Sequence, residues 1–425
     1  MQRLAIGKVK ITPELPVKLA GFAVERPAVG VHDPLYARLF LFEGEQDILW
    51  VMMDLLCADE TMLSRIAEKT GIPESQILVS TTHTHSGPMG TMDHTLPSGA
   101  GGDAVFGRFN SDYIEQITDA IASKTGELRK EGQPYQMRVL SGTIEGLGTN
   151  RHDPSMENDD AVFLMDFRLE NGSKTMICRM ACHPTVLNGE NRQISADFPG
   201  TFEKSFPEYE QIGYVNGSCG DTSTRFTRQS NGFDELERFG TLIKDTLTPL
   251  LESDRKFEEP DEPFLARKMF ILQKKQDISP AEIEQNLKKY REDVETAIRE
   301  NRPAQEIRLL QSLVEGEILH LDSARVAQND PHPLSEYSIG VNYLKLGSAE
   351  LVTTPLEVFC SLGNRISRDT GVTMIGYTNG GYAYLPDLEA YEKGFYESIS
   401  SFFERGEGEK FVESVELWIQ SLQSR

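Results

Sequence analysis

His83 and His85 stand directly behind a short apolar run at 76–80, in the stretch Thr82-His83-Thr84-His85-Ser86-Gly87-Pro88. The run is apolar and rich in β-branched residues, which predicts an interior strand. Side chains of an extended segment repeat every two residues, so the two imidazoles are expected on one side of the strand end, before the Ser-Gly-Pro forces a turn. Imidazole is both a common metal ligand and a common general base. A His-x-His pair alone is equally compatible with two loop histidines that only hydrogen-bond. What the pair can do therefore depends on where the other polar residues fall.

Several further candidate strands run into polar clusters. The strand at 175–181 leads into Cys182-His183-Pro184-Thr185, and the one at 212–215 into Asn216-Gly217-Ser218-Cys219-Gly220-Asp221-Thr222-Ser223. The strand at 350–353 leads to Glu357, and the one at 372–375 to a tyrosine-rich tail with Tyr382 and Tyr384. Ligands at strand ends and on the loops that follow are the usual arrangement in layered α/β enzymes. Imidazoles with one carboxylate suit Zn²⁺ and leave a position open for water.

The elements that must hold these residues alternate between short apolar runs and helical stretches. Strands are expected at 35–42, 48–53, 76–80, 162–169, 175–181, 212–215, 350–353 and 372–375, and helices at 60–69, 111–129 and 235–251. The alternation predicts an α/β layered domain with mixed sheets flanked by helices. The chain, 1–425, is expected to be a single catalytic domain with a helical insertion at 260–330. There, Ser279-Pro280-Ala281-Glu282 has the form of a capping box with proline at the first helical position. Ile283, Leu287, Tyr290, Val294 and Ile298 then make one apolar stripe, and Pro303 opens a second helix carrying Ile307, Leu310, Leu313 and Ile318. The glycine-rich loop 86–110 is expected to act as a lid; it does not join strand to helix as a phosphate-binding loop does.

A net charge of −23 repels phosphate backbones, so nucleic acid is excluded as a partner. No apolar run of membrane-spanning length and no secretory h-region are visible, and the cysteines (Cys57, Cys178, Cys182, Cys219, Cys360) lack zinc-ribbon spacing. Buried free thiols and a cytoplasmic location are the expectation.

Taken together, Thr82–Pro88, Asn150-Arg151, His183-Pro184-Thr185, Gly220-Asp221-Thr222-Ser223, Pro355-Leu356-Glu357 and the tail Tyr384, Tyr391, Tyr396-Glu397 resemble, in this order, the neutral/alkaline (non-lysosomal) ceramidase family. The openings Gly7-Lys8-Val9-Lys10-Ile11-Thr12-Pro13 and Gly30–Arg38 are similar to that family's too. The resemblance implies zinc ligands at His83, His183, Glu357 and Tyr384, with Tyr382 a competitor to Tyr384 by proximity. It implies that His85 manages protons, that Arg151 and Tyr396 bind or polarise the scissile amide, and that Ser223 lines the reaction centre. The implied reaction is hydrolysis of the amide of ceramide or a related small or lipid-like N-acyl amide. Departures are present: the family's Asn-Arg-Ser-Pro stands here as Asn150-Arg151-His152-Asp153-Pro154, its Ser-Pro as Ser223-Thr224, and its Pro-Gly-Glu as Pro355-Leu356-Glu357. The family's C-terminal immunoglobulin-like domain has no counterpart in these residues, so a short form is expected.

Two other readings stay open at this point. One is a serine hydrolase using Ser218 or Ser223 on the tight glycine turn, although the full Gly-x-Ser-x-Gly elbow is lacking. The other is a metal- or ligand-binding protein that keeps the scaffold without turnover.

Overall fold

A computed structural model of the chain describes residues 2–93, 103–276, 278–329 and 334–424. Its centre is an eight-stranded mixed sheet, in spatial order Gln211–Asn216, Lys174–Met180, Ala161–Leu169, Gln133–Thr143, Arg3–Lys10, Tyr36–Glu43, Ile48–Met53 and Ile77–Thr81. A second, four-stranded sheet follows the order Phe264–Gln273, Glu336–Leu346, Ala349–Thr353 and Thr373–Ile375. Strand alternation decides how they stack. Phe40, Trp50, Leu78 and Val215 of the first sheet bury against Leu344, Leu351 and Ile375 of the second. The opposite face of the first sheet, including Leu39, Leu41, Val51 and Val79, packs on Glu60–Thr70 and Ser111–Leu128. The outer face of the second sheet packs on Cys360–Thr370 and Glu407–Gln423. Helix, sheet, sheet, helix is thus the layering, and every strand and helix expected above is present. Strands with charged or alternating sequences, Arg3–Lys10 and Gln133–Thr143 among them, are additional to those expected.

The insertion differs from its expected limits. Residues Phe264–Gln273 are a strand, not helix, paired antiparallel with Glu336–Leu346 in the register Gln273↔Glu336. It is an edge strand in which only Phe270 and Leu272 are buried, and this weak apolar signal hid it. The helices proper are Pro280–Arg299 and Ala304–Asn329, projecting from between these two strands. Ser279 and Glu282 form the expected capping box. The seam between the helices is short: Ile283 and Leu287 pack with Val314, Ile318, Leu321 and Ala324, whereas Ile298 is exposed. At the far end of the first helix the covered position is Ala297, one residue off the expected stripe.

Residues 94–102, the centre of the expected lid, lie outside the described residues. Of its flanks, Met92 is fully buried, and Val105 and Phe106 border the cavity described next.

Candidate active site

Loops leaving the two sheets meet at a cavity of about 430 Å³ whose floor carries His83, His85, His183 and Glu357. The strand Ile77–Thr81 ends before the histidines, so the extended-chain spacing does not bring them together. Instead Thr82 N and His83 N donate to Met53 O and Leu55 O at 2.9 and 3.0 Å, and His83 takes a left-handed φ of 63°. That conformation is rare for a side chain with a Cβ and persists where surrounding bonds enforce it. The outcome is still a facing pair, with the Nε2 atoms of His83 and His85 3.3 Å apart.

The remaining donors are fixed by backbone bonds from neighbouring loops. His83 Nδ1 donates to Leu56 O at 2.9 Å, and His183 Nδ1 to Cys219 O at 2.7 Å. Carbonyls only accept, so both rings carry the proton on Nδ1 and present Nε2 as a lone pair. Glu357 comes from the two-residue strand Glu357–Val358, paired parallel with Tyr384–Leu385 in the register Glu357↔Tyr384. Its Oε2 lies 3.2 Å from His183 Nε2 and 3.5 Å from His83 Nε2, and it accepts from Tyr377 Oη at 3.3 Å.

Burial governs the charge states. It pushes His83 down to about 4 against the pull of Glu357, and His183 down to about 3 together with Arg151. Burial, with the two neighbouring imidazoles, lowers His85 as well. Neutral rings with free lone pairs are what a cation requires of its ligands. His183 Nε2 has no hydrogen-bond partner of its own. The three histidine side chains offer nitrogens all within 4.8 Å of one another. Ligands 2.0–2.1 Å from a tetrahedral zinc are separated by about 3.3 Å. Three of the six separations among His183, Glu357, His83 and His85 are 3.2, 3.3 and 3.5 Å, close to that spacing, and the neutral imidazoles with one carboxylate are a donor set suited to a small divalent ion.

Around this floor stand the other expected residues. Arg151 follows the strand Thr149–Asn150, which pairs antiparallel with Thr222–Ser223, and both Arg151 and Ser223 border the cavity. The Arg151 guanidinium donates to Gly220 O at 2.7 Å and to Glu397, and lies 5.1 and 5.5 Å from the ring centroids of Tyr384 and Tyr396. Burial would raise the Glu397 carboxyl, but Arg151 and His152 hold it down to about 2. Tyr384 borders the cavity, its ring 6.4 Å from that of His183. Tyr382 does not; it packs on Tyr337 at 6.0 Å, because Ala383 at φ 59° breaks the alternation between the two tyrosines.

Two participants, Tyr377 and Gly21, were not singled out from sequence, and Glu397 was named only within the Tyr396-Glu397 motif, without a role. Tyr377 orients Glu357, and Glu397 neutralises Arg151; its place directly after Tyr396 in that motif was the only sequence signal for the latter. Gly21, at φ 93°, lies so close to His85 that a Cβ there would enter the imidazole. The serines behave differently from a nucleophile. Ser218 is fully buried with no partner and away from the cavity, while Ser223 Oγ accepts from Arg225 N at 3.3 Å. Neither hydroxyl bonds an imidazole, as an activated serine requires.

The fold and site define a layered α/β protein with a buried three-histidine cluster able to bind a metal ion. The sequence matches the family described as "Neutral/alkaline non-lysosomal ceramidase, N-terminal" over residues 3–219. The chain belongs to this family. Among its relatives are the neutral ceramidase of Mycobacterium tuberculosis, 23% identical over 218 residues (46% of this chain, 33% of that protein), and that of Pseudomonas aeruginosa, 26% identical over 221 residues (47% and 32%). The match spans about a third of these relatives' length. The fold is similar to that in the crystal structure of neutral ceramidase from Pseudomonas aeruginosa, with a TM-score of 0.75 at 19% identity, over 100% of this chain and 75% of that one. No helix among the described residues is long and apolar enough to cross a membrane.

Proposed function

We propose that this chain is a zinc-dependent hydrolase that cleaves an N-acyl amide, ceramide or a related compound, with water. The observation that carries this reading is the buried cluster of three imidazoles with the Glu357 carboxylate 3.2 and 3.5 Å from two of them, on the floor of a cavity that also presents Arg151, Tyr384 and Tyr396. His83, His183 and Glu357 would hold the ion, with Tyr384 as the fourth ligand. A bound ion of this kind supplies Lewis acidity, polarising a carbonyl and acidifying water. His85 takes a proton at Nε2, the atom that faces the cluster, and returns it to the departing amine. Charge developing on the amide oxygen is met by Arg151 and the Tyr396 hydroxyl, both immobilised before substrate arrives. Glu397 keeps the Arg151 side chain in place, and Ser223 borders the reaction centre. The whole chain acts as one catalytic unit, its helical insertion forming one wall of the cavity. The five cysteines are unpaired buried thiols, which suits a reducing compartment such as the cytoplasm.

Metal analysis of protein purified without added metal, followed by a panel of N-acyl amides, tests the reading. About one zinc per chain with release of fatty acid supports it. Metal without turnover on any amide points to a binding protein, and folded protein free of metal removes the reading altogether.

A further inference from the structure

Away from the histidine floor, the charge of the cavity is unbalanced. Four arginines border it, and two are satisfied by carboxylates: Arg151 by Glu397, and Arg308 by both oxygens of Glu315 at 2.8 and 2.9 Å. Arg225 and Arg228 have only neutral partners. Arg225 donates to Arg151 O at 2.8 Å and lies 3.5 Å from Ser312 Oγ, and Arg228 donates to Thr185 O. Of the cavity's other acids, Glu357 faces the histidines and Glu190 is an exposed residue that forms no ion pair. Burial above all, then Arg151 and Arg308, push Arg225 down to about 9 against the pull of Glu397. Glu397 attracts Arg225 and Asp197 and Glu235 attract Arg228 from a distance, but among the described residues neither guanidinium has a carboxylate in direct contact. Half-buried cations without a counter-charge are costly unless a ligand supplies it.

We propose that Arg225 and Arg228 form a subsite for an anionic group of the substrate, so that among N-acyl amides the preferred one carries a carboxylate, as in an N-acyl amino acid, over a neutral N-acyl amino alcohol such as ceramide. The proposal rests on the amide-hydrolase reading above. Arg225 stands two residues beyond Ser223, and its guanidinium touches the backbone of Arg151. Arg225, Arg228 and the histidine floor border the same cavity, so one substrate can present a carboxylate to the arginines and an amide to the floor. Guanidinium is well matched to that partner, because its planar donors bind a carboxylate at two points.

The test compares N-lauroylglycine with N-lauroylethanolamine, which share the acyl chain and differ in carboxylate against hydroxymethyl. The expected kcat/KM ratio favours the glycine compound by about tenfold or more, the scale of one charge-assisted hydrogen bond. Arg225→Gln and Arg228→Gln each lower that ratio by about tenfold, and Arg228→Lys, which keeps the charge but not the two-point fork, recovers only part of it. A ratio near one in the native protein, or one unchanged in both Gln variants, overturns the proposal. Should Arg225→Gln fail to fold through loss of its bond to Arg151 O, Arg228→Gln decides. If neither amide is hydrolysed, the hydrolase reading fails separately. Calorimetric titration of N-lauroylglycine then decides the subsite: binding that weakens in Arg228→Gln supports it, and equal or absent binding in both proteins overturns it.

Discussion

The Nε2 atoms of His83 and His85 face each other at 3.3 Å on a loop whose shape is set by backbone bonds to residues 53 and 55. The pairing therefore depends on the turn as much as on the imidazoles. His83 and His85 also differ in what holds them: His83 is anchored through Nδ1 to Leu56 O, whereas His85 Nδ1 has no partner. An anchored ring suits a ligand, and a freer one suits proton transfer.

His83→Ala and His183→Ala are each expected to abolish metal retention, since each removes a donor that holds the ion; with both gone, His85 alone beside Glu357 leaves too few nitrogens to keep it. The loss should exceed the 10–100-fold typical of partners one shell further out. Metal content by mass spectrometry reads this directly, and a fully loaded His83→Ala/His183→Ala double variant would refute the site.

His85→Ala separates ligand from proton carrier. With Tyr384 as fourth ligand, the variant keeps its metal and loses about 10²–10⁴-fold in kcat. Loss of the metal instead would assign His85 to the ligand set, a possibility its spacing from His83 makes concrete. Unchanged kcat would remove it from the chemistry.

Gly21→Ala places a methyl group into the His85 ring and demands φ 93° of a residue with a Cβ. The expected result is metal content near one with kcat depressed by about tenfold or more, because a misplacement near 1 Å costs up to 10²-fold. Wild-type kcat in this variant would show that the His85 position is not critical.

The layers, and the convergence of His83, His85, His183 and Glu357 at strand ends, were legible in the sequence because their signals are local, whereas Arg151 and Tyr396 were singled out only through the family resemblance. Continuous apolar runs such as Ile48–Met53 mark strands covered on both faces, and polar residues right behind such runs mark their ends. The edge strand Phe264–Gln273 was not legible, because one covered face leaves few buried positions to read. His83 and His85 were placed together for the wrong reason: strand alternation was expected, and a left-handed residue does the work. The choice between Tyr382 and Tyr384 turns on the φ of Ala383, which no periodicity encodes. Pairings across the chain, Arg151 with Glu397 above all, depend on which loops the two sheets bring face to face.

The helical pair can be removed with little disturbance to the sheet, since Gln273 and Glu336, on either side of it, are already paired. Replacing residues 275–334 with a short glycine-containing turn is expected to leave a folded protein that retains its metal. It removes the cavity wall carrying Arg308, Ser312 and Glu315, and Gly316, whose lack of a Cβ lets the helix abut Tyr396. Activity should fall at least tenfold, chiefly through KM, because the lost wall contributes binding more than chemistry. Normal kcat and KM in the shortened protein would show that the insertion serves neither purpose.

Acid stability should carry the mark of the Arg151–Glu397 pair. Glu397 is fully buried and held at about 2, against an ordinary value of 4.5. A carboxyl lowered by folding contributes stability that is complete above its unfolded value and is lost as pH falls through its folded one. The contribution is on the order of 3 kcal/mol at neutral pH and disappears between pH 4.5 and 2. Asp54 and Asp197, raised to about 6 by burial, act in the opposite sense: protonation favours their folded state, so their effect on stability worsens as pH rises from about 4 to 6. The pair is isolated by comparing native protein with Glu397→Gln, in which the aspartates are common to both. The difference in unfolding free energy should be constant above pH 5 and close steadily below 4.5. A difference that stays constant down to pH 3 would mean that the buried pair is not what holds Glu397 ionised.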